Sequence, residues 1–280
     1  PVEVALKMAT IQAARCYGLT SLGAIAPGYQ ADLVVLDDLE DFNVTEVYHK
    51  GTKIIRDEKK EIRACDPKLK NTVHISNFSE KQLELPWKEG KAHVLRMLEG
   101  QIVTEDILEE PSYTEKDGRK FFISDDRFQK IAVIERHKCT GKNSVGIVSG
   151  FGLRGGAIAS SVSHDSHNII VIGDNDHDMY LAVQELIRTQ GGYTLVKNGQ
   201  VFDTLPLSIM GLMSDLGYEK VNEILGRMIP EAHRMGIPDG FDPFITLSFM
   251  ALPVIPEIRV TPRGIYLVKE DRLLRNPYEK

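Results

Sequence analysis

The densest group of chemically competent side chains in the sequence lies between residues 163 and 168. The stretch consists of Ser163, His164, Asp165, Ser166, His167 and Asn168. An imidazole titrates near neutral pH and a carboxylate accepts hydrogen bonds, so His164 and Asp165 could transfer protons or bind a polar ligand. Alternatively, His164 and His167 could ligate a metal, with Asp165 as a further ligand or a support. A third interpretation is a tight polar turn that satisfies the backbone before a buried strand.

A second candidate group, Glu135 and His137, closes a strand-like stretch that begins at residue 131. Alternate residues of a strand share a face, so we expect these two side chains to be neighbours, with Arg136 on the other face. A carboxylate beside an imidazole fixes its tautomer, although an ordinary ion-pair network at a sheet end would use the same residues. The candidate catalytic residues are therefore His164 and Asp165, and the candidate binding residues are Ser163, His167, Asn168, Glu135 and His137.

Two further segments resemble ligand loops without completing the pattern. The glycines between residues 150 and 156 are followed by neither a P-loop Lys-Ser/Thr nor dinucleotide-binding spacing, so they predict a tight turn with close backbone approach. Asp174, Asp176 and Asp178 alternate as in a calcium loop, but the later Gly and Glu are missing. They predict an exposed helix N-terminus.

The elements that must position these residues follow from hydrophobic periodicity and turn residues. Helices are predicted at residues 2–17, 176–188 and 218–235, the last with Pro230 expected to kink or break it. Strands are predicted at residues 31–36, 46–48, 53–56, 131–135, 144–149, 169–172, 193–197, 200–204, 255–260 and 265–269. Strands outnumber helices and several are joined as hairpins, so we predict an α+β fold, with a domain boundary near residue 70.

Composition excludes several protein classes. A net charge of -6 argues against a general nucleic-acid binder, which needs a basic face. The most apolar stretch, residues 244–258, contains two prolines and is too short to span a membrane. The first residues lack the pattern of a signal peptide, and three scattered cysteines indicate neither a disulfide framework nor a Cys-based metal site. We therefore expect a cytoplasmic protein. The chain starts inside a helical pattern without Met, and we expect the natural protein to begin earlier.

One motif lies in the first part of the chain. It consists of Ala13-Ala14-Arg15, Gly18-Leu19, the run from Leu22 to Gly28 and the run from Ala31 to Asp37. This pattern resembles the segment that ends the barrel of amidohydrolase-superfamily enzymes and returns to their small β-domain. The resemblance implies that residues 1–70 are the last helix of a (β/α)8 barrel and part of the flanking β-domain.

The second motif extends from about residue 120 to residue 270. Its parts are Glu135-Arg136-His137, Thr140-Gly141, Gly150-Phe151-Gly152-Leu153, Gly156 to Ala159, Ser163 to Asn168, Asp176, Asp178-Met179, Gly191-Gly192, Gly211 to Ser214, Asp242-Pro243-Phe244 and Pro253 to Glu257. It resembles the C-terminal domain of bacterial and archaeal adenine deaminases, with a departure at Ser208-Ile209-Met210. The resemblance implies that residues 71–280 form this α+β domain, with a mixed or antiparallel sheet.

The second resemblance implies a function in purine salvage. Such enzymes hydrolyse adenine to hypoxanthine and ammonia with a divalent metal, Mn or Fe, held by the barrel. The chain has no His-x-His pair among its eight histidines, so we expect the ligands upstream, no metal bound by this chain and no activity of the chain alone. The implied partners are adenine, the N-terminal barrel of the same protein and further copies in a homo-oligomer, but neither nucleic acid nor a membrane.

Two other functions fit the sequence. The C-terminal domain could be a non-catalytic assembly module that packs barrels into a homo-oligomer through the apolar stretch 244–258. Such a module would bury Phe249 and Leu252 between subunits, whereas a domain that covers the active site would place His164 near the barrel mouth. A stand-alone purine-binding domain is the third possibility.

Overall fold

In the computed structural model, which describes residues 1–54 and 65–279, the first part of the chain is a helix followed by a small sheet. The helix consists of α1 (Val2–Lys7), a π-helical turn (Met8–Gln12) and α2 (Ala13–Cys16). Strands β1 (Leu33–Leu36), β2 (Val44–His49) and β3 (Thr52–Lys53) pair antiparallel in chain order. The predicted strand at 53–56 and the expected boundary segment lie partly outside the described residues.

The chain divides into two units, residues 1–61 and 62–280. The second unit is built from thirteen strands in the described residues. Their bounds are β4 Ala92–Met97, β5 Thr104–Glu109, β6 Tyr113–Lys116, β7 Arg119–Phe122, β8 Phe128–Ile134, β9 Asn143–Ser149, β10 Gly156–Ser160, β11 Ile169–Gly173, β12 Gly192–Lys197, β13 Gln200–Pro206, β14 Ile258–Thr261, β15 Gly264–Leu267 and β16 Arg272–Leu274. The assignment of residues 1–70 and 71–280 to a barrel end and a C-terminal domain stays a prediction.

Eight of these strands form one sheet at the centre of the second unit. The order across the sheet is β13-β12-β10-β11-β8-β9-β4-β5. All neighbours are antiparallel except β4 and β9, which are parallel, so the sheet is mixed. Strands β6 and β7 form a separate hairpin, and β14, β15 and β16 form a second small sheet.

Both faces of the large sheet are covered. Helix α3 (Asp176–Thr189) packs on one face, where Ala132 and Ile134 of β8 point. Helices α4 (Tyr218–Arg234) and α5 (Ile245–Phe249), with the second small sheet, pack on the other, where Ile131 and Val133 point. Because both faces are buried, the central strands β10 and β11 are almost entirely apolar rather than alternating. The predicted α+β class with a mixed sheet is confirmed for this unit.

The expected close backbone approach in the glycine-rich segment is confirmed. A Cβ on Gly150 would lie 2.5 Å from the carbonyl oxygen of Met97, and one on Gly152 would lie 2.5 Å from that of Gly236. Both residues have positive φ angles, of +87° and +77°, that side chains disfavour. The glycines therefore allow the turn that joins β9 to β10 to pack closely against neighbouring backbone.

Helix α4 continues through Pro230. The expectation that this proline breaks the helix is therefore wrong. An interior proline costs about 3 kcal/mol. The buried side chains of Met228 and Ala232 pack into the core on either side of Pro230 and hold the helix in place. None of the helices in the described part of the chain is long and apolar enough to cross a membrane.

Candidate functional site

The candidate cluster forms the connection from β10 to β11, two central strands of the sheet. Ser163 and Asn168 are buried at the two ends of the connection, whereas Asp165 and Ser166 are exposed at its tip. His164 and His167 are half-buried. The rigid strands therefore fix both ends of the segment from residue 163 to residue 168, which we call the His turn.

The ring of His164 is held by two consecutive residues of α5. Its Nδ1 lies 2.9 Å from Oγ of Ser248, and its backbone N–H donates to the carbonyl oxygen of Ser248 at 3.0 Å. The imidazole stacks on Phe249 with a centroid distance of 4.7 Å and an interplanar angle of 1°. These contacts fix both the position and the plane of the ring.

The hydroxyl of Ser248 also sets the tautomer of His164. This hydroxyl donates its only proton to the carbonyl oxygen of Ile245 at 2.6 Å, so towards His164 it accepts. In neutral His164 the proton is therefore on Nδ1, and Nε2 carries the lone pair. Nε2 makes no hydrogen bond within the part of the chain that the structure describes. The site thus presents an oriented proton acceptor.

His167 stabilises the turn and stays neutral at pH 7. Its backbone N–H donates to the carbonyl oxygen of Ser163 at 2.5 Å, and its ring centroid lies 6.2 Å from that of His164. Burial lowers the pKa of His167, and the nearby charges of His164, Arg136 and His137 lower it further, while Asp165 opposes them. Nδ1 of His167 and Oγ of Ser163 are buried without a hydrogen-bond partner among the described residues.

The remaining two polar residues of the His turn differ in their partners. Asp165 makes no hydrogen bond or ion pair to any residue in the ranges 1–54 and 65–279, so its carboxylate is free to accept one. Asn168 uses both ends of its amide inside the fold. Its Oδ1 accepts from the backbone N–H of Arg136 at 3.3 Å, and its Nδ2 donates to Oγ of Ser166 at 3.0 Å.

The expected pair of Glu135 and His137 does not form. Strand β8 ends at Ile134, so the alternation of side chains stops one residue before Glu135. The Glu135 carboxylate instead accepts from the backbone N–H groups of His137, Lys138 and Thr140 at 2.6 to 3.0 Å. Burial disfavours the charged form of Glu135, but hydrogen bonds from Thr140 and from these N–H groups outweigh it and lower its pKa to about 2.

His137 supports the His turn from outside. Its Nε2 donates to the carbonyl oxygen of Ser166 at 2.7 Å, and the side chain is exposed. Glu135 therefore stabilises its own turn, and His137 connects that turn to the tip of the His turn. The two side chains therefore do not form an acid–imidazole pair.

The metal-ligand interpretation of the His turn finds no support. No group of three or more His, Cys, Asp or Glu side chains within the described ranges could hold a metal ion. A stable site needs at least three protein ligands in suitable geometry. The divalent metal that the sequence resemblance implies therefore does not fit these residues.

The apolar stretch 244–258 packs inside the domain. Phe244, Leu247 and Met250 belong to the core beneath the sheet, and Leu252 is only 8% exposed. The chain already buries Leu252 itself, so the burial of this residue is not evidence for an interface, and the assembly alternative stays a prediction. Sequence reasoning missed Ser248 and Phe249 as partners of His164. The sequence feature that could have indicated this role is Ser248 itself, the one serine within the apolar segment 244–258.

Two models of known protein families match this chain. The model of the amidohydrolase family matches residues 1–54. The model of the adenine deaminase C-terminal domain matches residues 101–272, which is more than half of the chain. The chain therefore belongs to the adenine deaminase C-terminal domain family, and the resemblance stated from the sequence is confirmed.

Curated relatives match almost the whole chain. A protein of Desulfitobacterium hafniense named adenine deaminase is 50% identical over 275 residues, which cover 98% of this chain and 48% of the relative. Proteins with the same name from Nitratidesulfovibrio vulgaris and Bacillus subtilis are 44% and 39% identical over 95% of this chain and 46% and 47% of their own lengths. The chain thus spans about half the length of the curated relatives it matches.

Proposed function

We propose that this chain is the C-terminal portion of a metal-dependent adenine deaminase. In the proposed reaction, the oxygen of water bonds to the purine carbon that carries the exocyclic amine. The carbon–nitrogen bond then breaks, and hypoxanthine and ammonia leave. The names of the relatives and the two family matches support this activity for the whole protein.

The observation that carries the proposal for this domain is the fixed ring of His164. Its Nδ1 is bound by Ser248 and its plane is set by Phe249, while Nε2 is left without a partner among the described residues. In this proposal, Nε2 of His164 faces adenine and accepts a proton from the substrate or the attacking water. The protonated ring then returns that proton to the departing amine.

Asp165 has a binding role in the same proposal. Its carboxylate is exposed at the tip of the His turn and accepts hydrogen bonds only, so it suits the N–H groups of a purine edge. Closing the pocket with such groups excludes water and strengthens each polar contact. His167 and Asn168 support the turn rather than react.

We expect the metal of the proposed enzyme to be held by the barrel that the sequence resemblance implies, and no group of three or more His, Cys, Asp or Glu side chains in the described ranges could hold a metal ion. We expect the 280-residue chain to release no ammonia from adenine with Mn or Fe added. We expect the full-length protein to do so under the same conditions. Ammonia release by the purified chain, or none by the metal-loaded full-length protein, would contradict the proposal.

A further inference from the structure

Arg136 is a buried cation without a carboxylate partner. It lies two residues after the end of β8 and is 1% exposed. The guanidinium donates from Nε to the carbonyl oxygen of His167, from Nη1 to that of Thr72 at 3.1 Å and from Nη2 to that of Met210 at 3.0 Å. No ion pair involves it within the described residues. Burial lowers the pKa of Arg136 to about 10, so the group remains charged at neutral pH.

The three carbonyl groups belong to three separate segments of the chain. One is in the His turn, one precedes β4 and one lies in the loop after β13. The backbone N–H of Arg136 adds a fourth contact, to Oδ1 of Asn168 at 3.3 Å. Arg136 therefore binds the C-terminal end of the His turn through both its side chain and its backbone.

The surroundings of the guanidinium are closely fitted. A Cβ on Gly211 would lie 2.8 Å from Nη1 and Nη2 and 2.9 Å from Cζ. Gly211 has a φ of +70°, and its own carbonyl oxygen accepts from Oγ of Ser161 at 2.6 Å, next to the start of the His turn. The planar guanidinium thus points its N–H groups at three carbonyl oxygens, and the missing side chain of Gly211 leaves the space that it occupies. The compact ammonium of a lysine cannot reproduce three diverging donors.

We propose that Arg136 is a positioning residue for the deamination step. Arg136 binds the carbonyl oxygen of His167, and the N–H of His167 is bound to the carbonyl oxygen of Ser163. Both backbone groups of His167 are therefore held, and the contact from Arg136 helps to set the shape of the His turn. The shape of this turn determines where Nε2 of His164 and the carboxylate of Asp165 lie. The inference rests on the proposed role of His164, and it adds that the role depends on a residue that never contacts substrate.

The chain offers a matched control in Arg259. This residue is 0% exposed and has no ion pair in the described part of the chain. Its guanidinium donates to the carbonyl oxygens of Ile102, Pro256 and Ile258 and to Oγ1 of Thr104, far along the chain from the His turn. Burial also lowers the pKa of Arg259 to about 10. A lysine at either position should therefore destabilise the fold in the same way.

The test compares Arg136→Lys and Arg259→Lys in the full-length enzyme. We expect both variants to lose melting temperature, and only Arg136→Lys to lower kcat, by about tenfold, because small misplacements of reacting groups are costly. In a His164→Ala background, Arg136→Lys should cause no further loss, since it acts through that ring. Equal kcat values for Arg136→Lys and Arg259→Lys per folded molecule, or a full additional loss in the His164→Ala background, would overturn the inference.

A second variant covers the case in which Arg136→Lys does not fold. Gly211→Ala displaces the guanidinium without removing it, and we expect kcat to fall several-fold. Unchanged kcat in folded Gly211→Ala would overturn the inference. Normal turnover of His164→Ala would instead refute the proposed role of His164. Impaired His164→Ala with normal Arg136→Lys would refute the role of Arg136 alone.

Discussion

Replacing Ser248 by alanine removes the group that orients His164 and leaves its other contacts in place. Ser248 is 1% exposed, and its hydroxyl joins Nδ1 of His164 to the carbonyl oxygen of Ile245. The stack on Phe249 and the backbone hydrogen bond to residue 248 remain. A neutral hydrogen bond contributes about 1 kcal/mol net, which corresponds to about a fivefold loss of kcat/KM if it acts only through the orientation of the ring.

The assay is ammonia release from adenine by the full-length enzyme, with melting temperature measured in parallel. Ser144→Ala is the control, because Ser144 is also nearly buried and its hydroxyl donates to the carbonyl oxygen of Thr261, away from the His turn. We expect both variants to lose comparable stability and only Ser248→Ala to lose turnover. An unchanged kcat/KM for Ser248→Ala, or an equal loss in Ser144→Ala, would show that the hydroxyl of Ser248 does not orient His164 for turnover.

Two further predictions concern the residues around the His turn. The pKa of Glu135 in the fold, about 2, lies below its ordinary value of 4.5, so its charge stabilises the fold above pH 4.5 and this contribution is lost as the pH falls towards 2. Glu135→Gln should lower the free energy of unfolding at pH 7 by about 1–2 kcal/mol after allowance for solvent screening, and urea titrations should show the difference vanishing near pH 2 rather than persisting. His167→Ala should reduce kcat/KM less than His164→Ala does, because His167 supports the turn; an equal or larger kinetic loss would show that its ring takes part directly.

Local patterns in the sequence predicted part of the second unit, namely β8, β9, β11 to β15, α3 and α4, whereas the sequence analysis did not predict β4 to β7, β10, β16 or α5. The hairpin at Asn198-Gly199 was predictable because this dipeptide favours the turn between two paired strands. Helix α3 was predictable from its apolar face and from the acidic residues in its first turn. Strand β4 was not predicted, because His93 and Arg96 interrupt its apolar residues, and its parallel pairing with β9 depends on contacts far apart in the chain.

The candidate site was predictable only in part. The sequence shows that His164 and Asp165 are close together, but the partner that orients His164 is Ser248, which is 84 positions away. The expected pair of Glu135 and His137 failed because it assumed that β8 continues beyond Ile134. Arg136 is adjacent to both in sequence, yet its importance depends on carbonyls from three segments that only the tertiary fold brings together.

The role of His164 in proton transfer is tested by the kinetics of His164→Ala in the full-length enzyme, measured together with its metal content. Proton transfer by a positioned side chain contributes about 10²–10⁴-fold, so we expect kcat/KM to fall by at least about tenfold with the fold and the bound metal unchanged. Near-normal turnover in a folded, metal-loaded variant would contradict the account and leave His164 as a support of its own turn. Loss of metal together with loss of turnover would contradict it in another way, because it would make His164 a metal ligand.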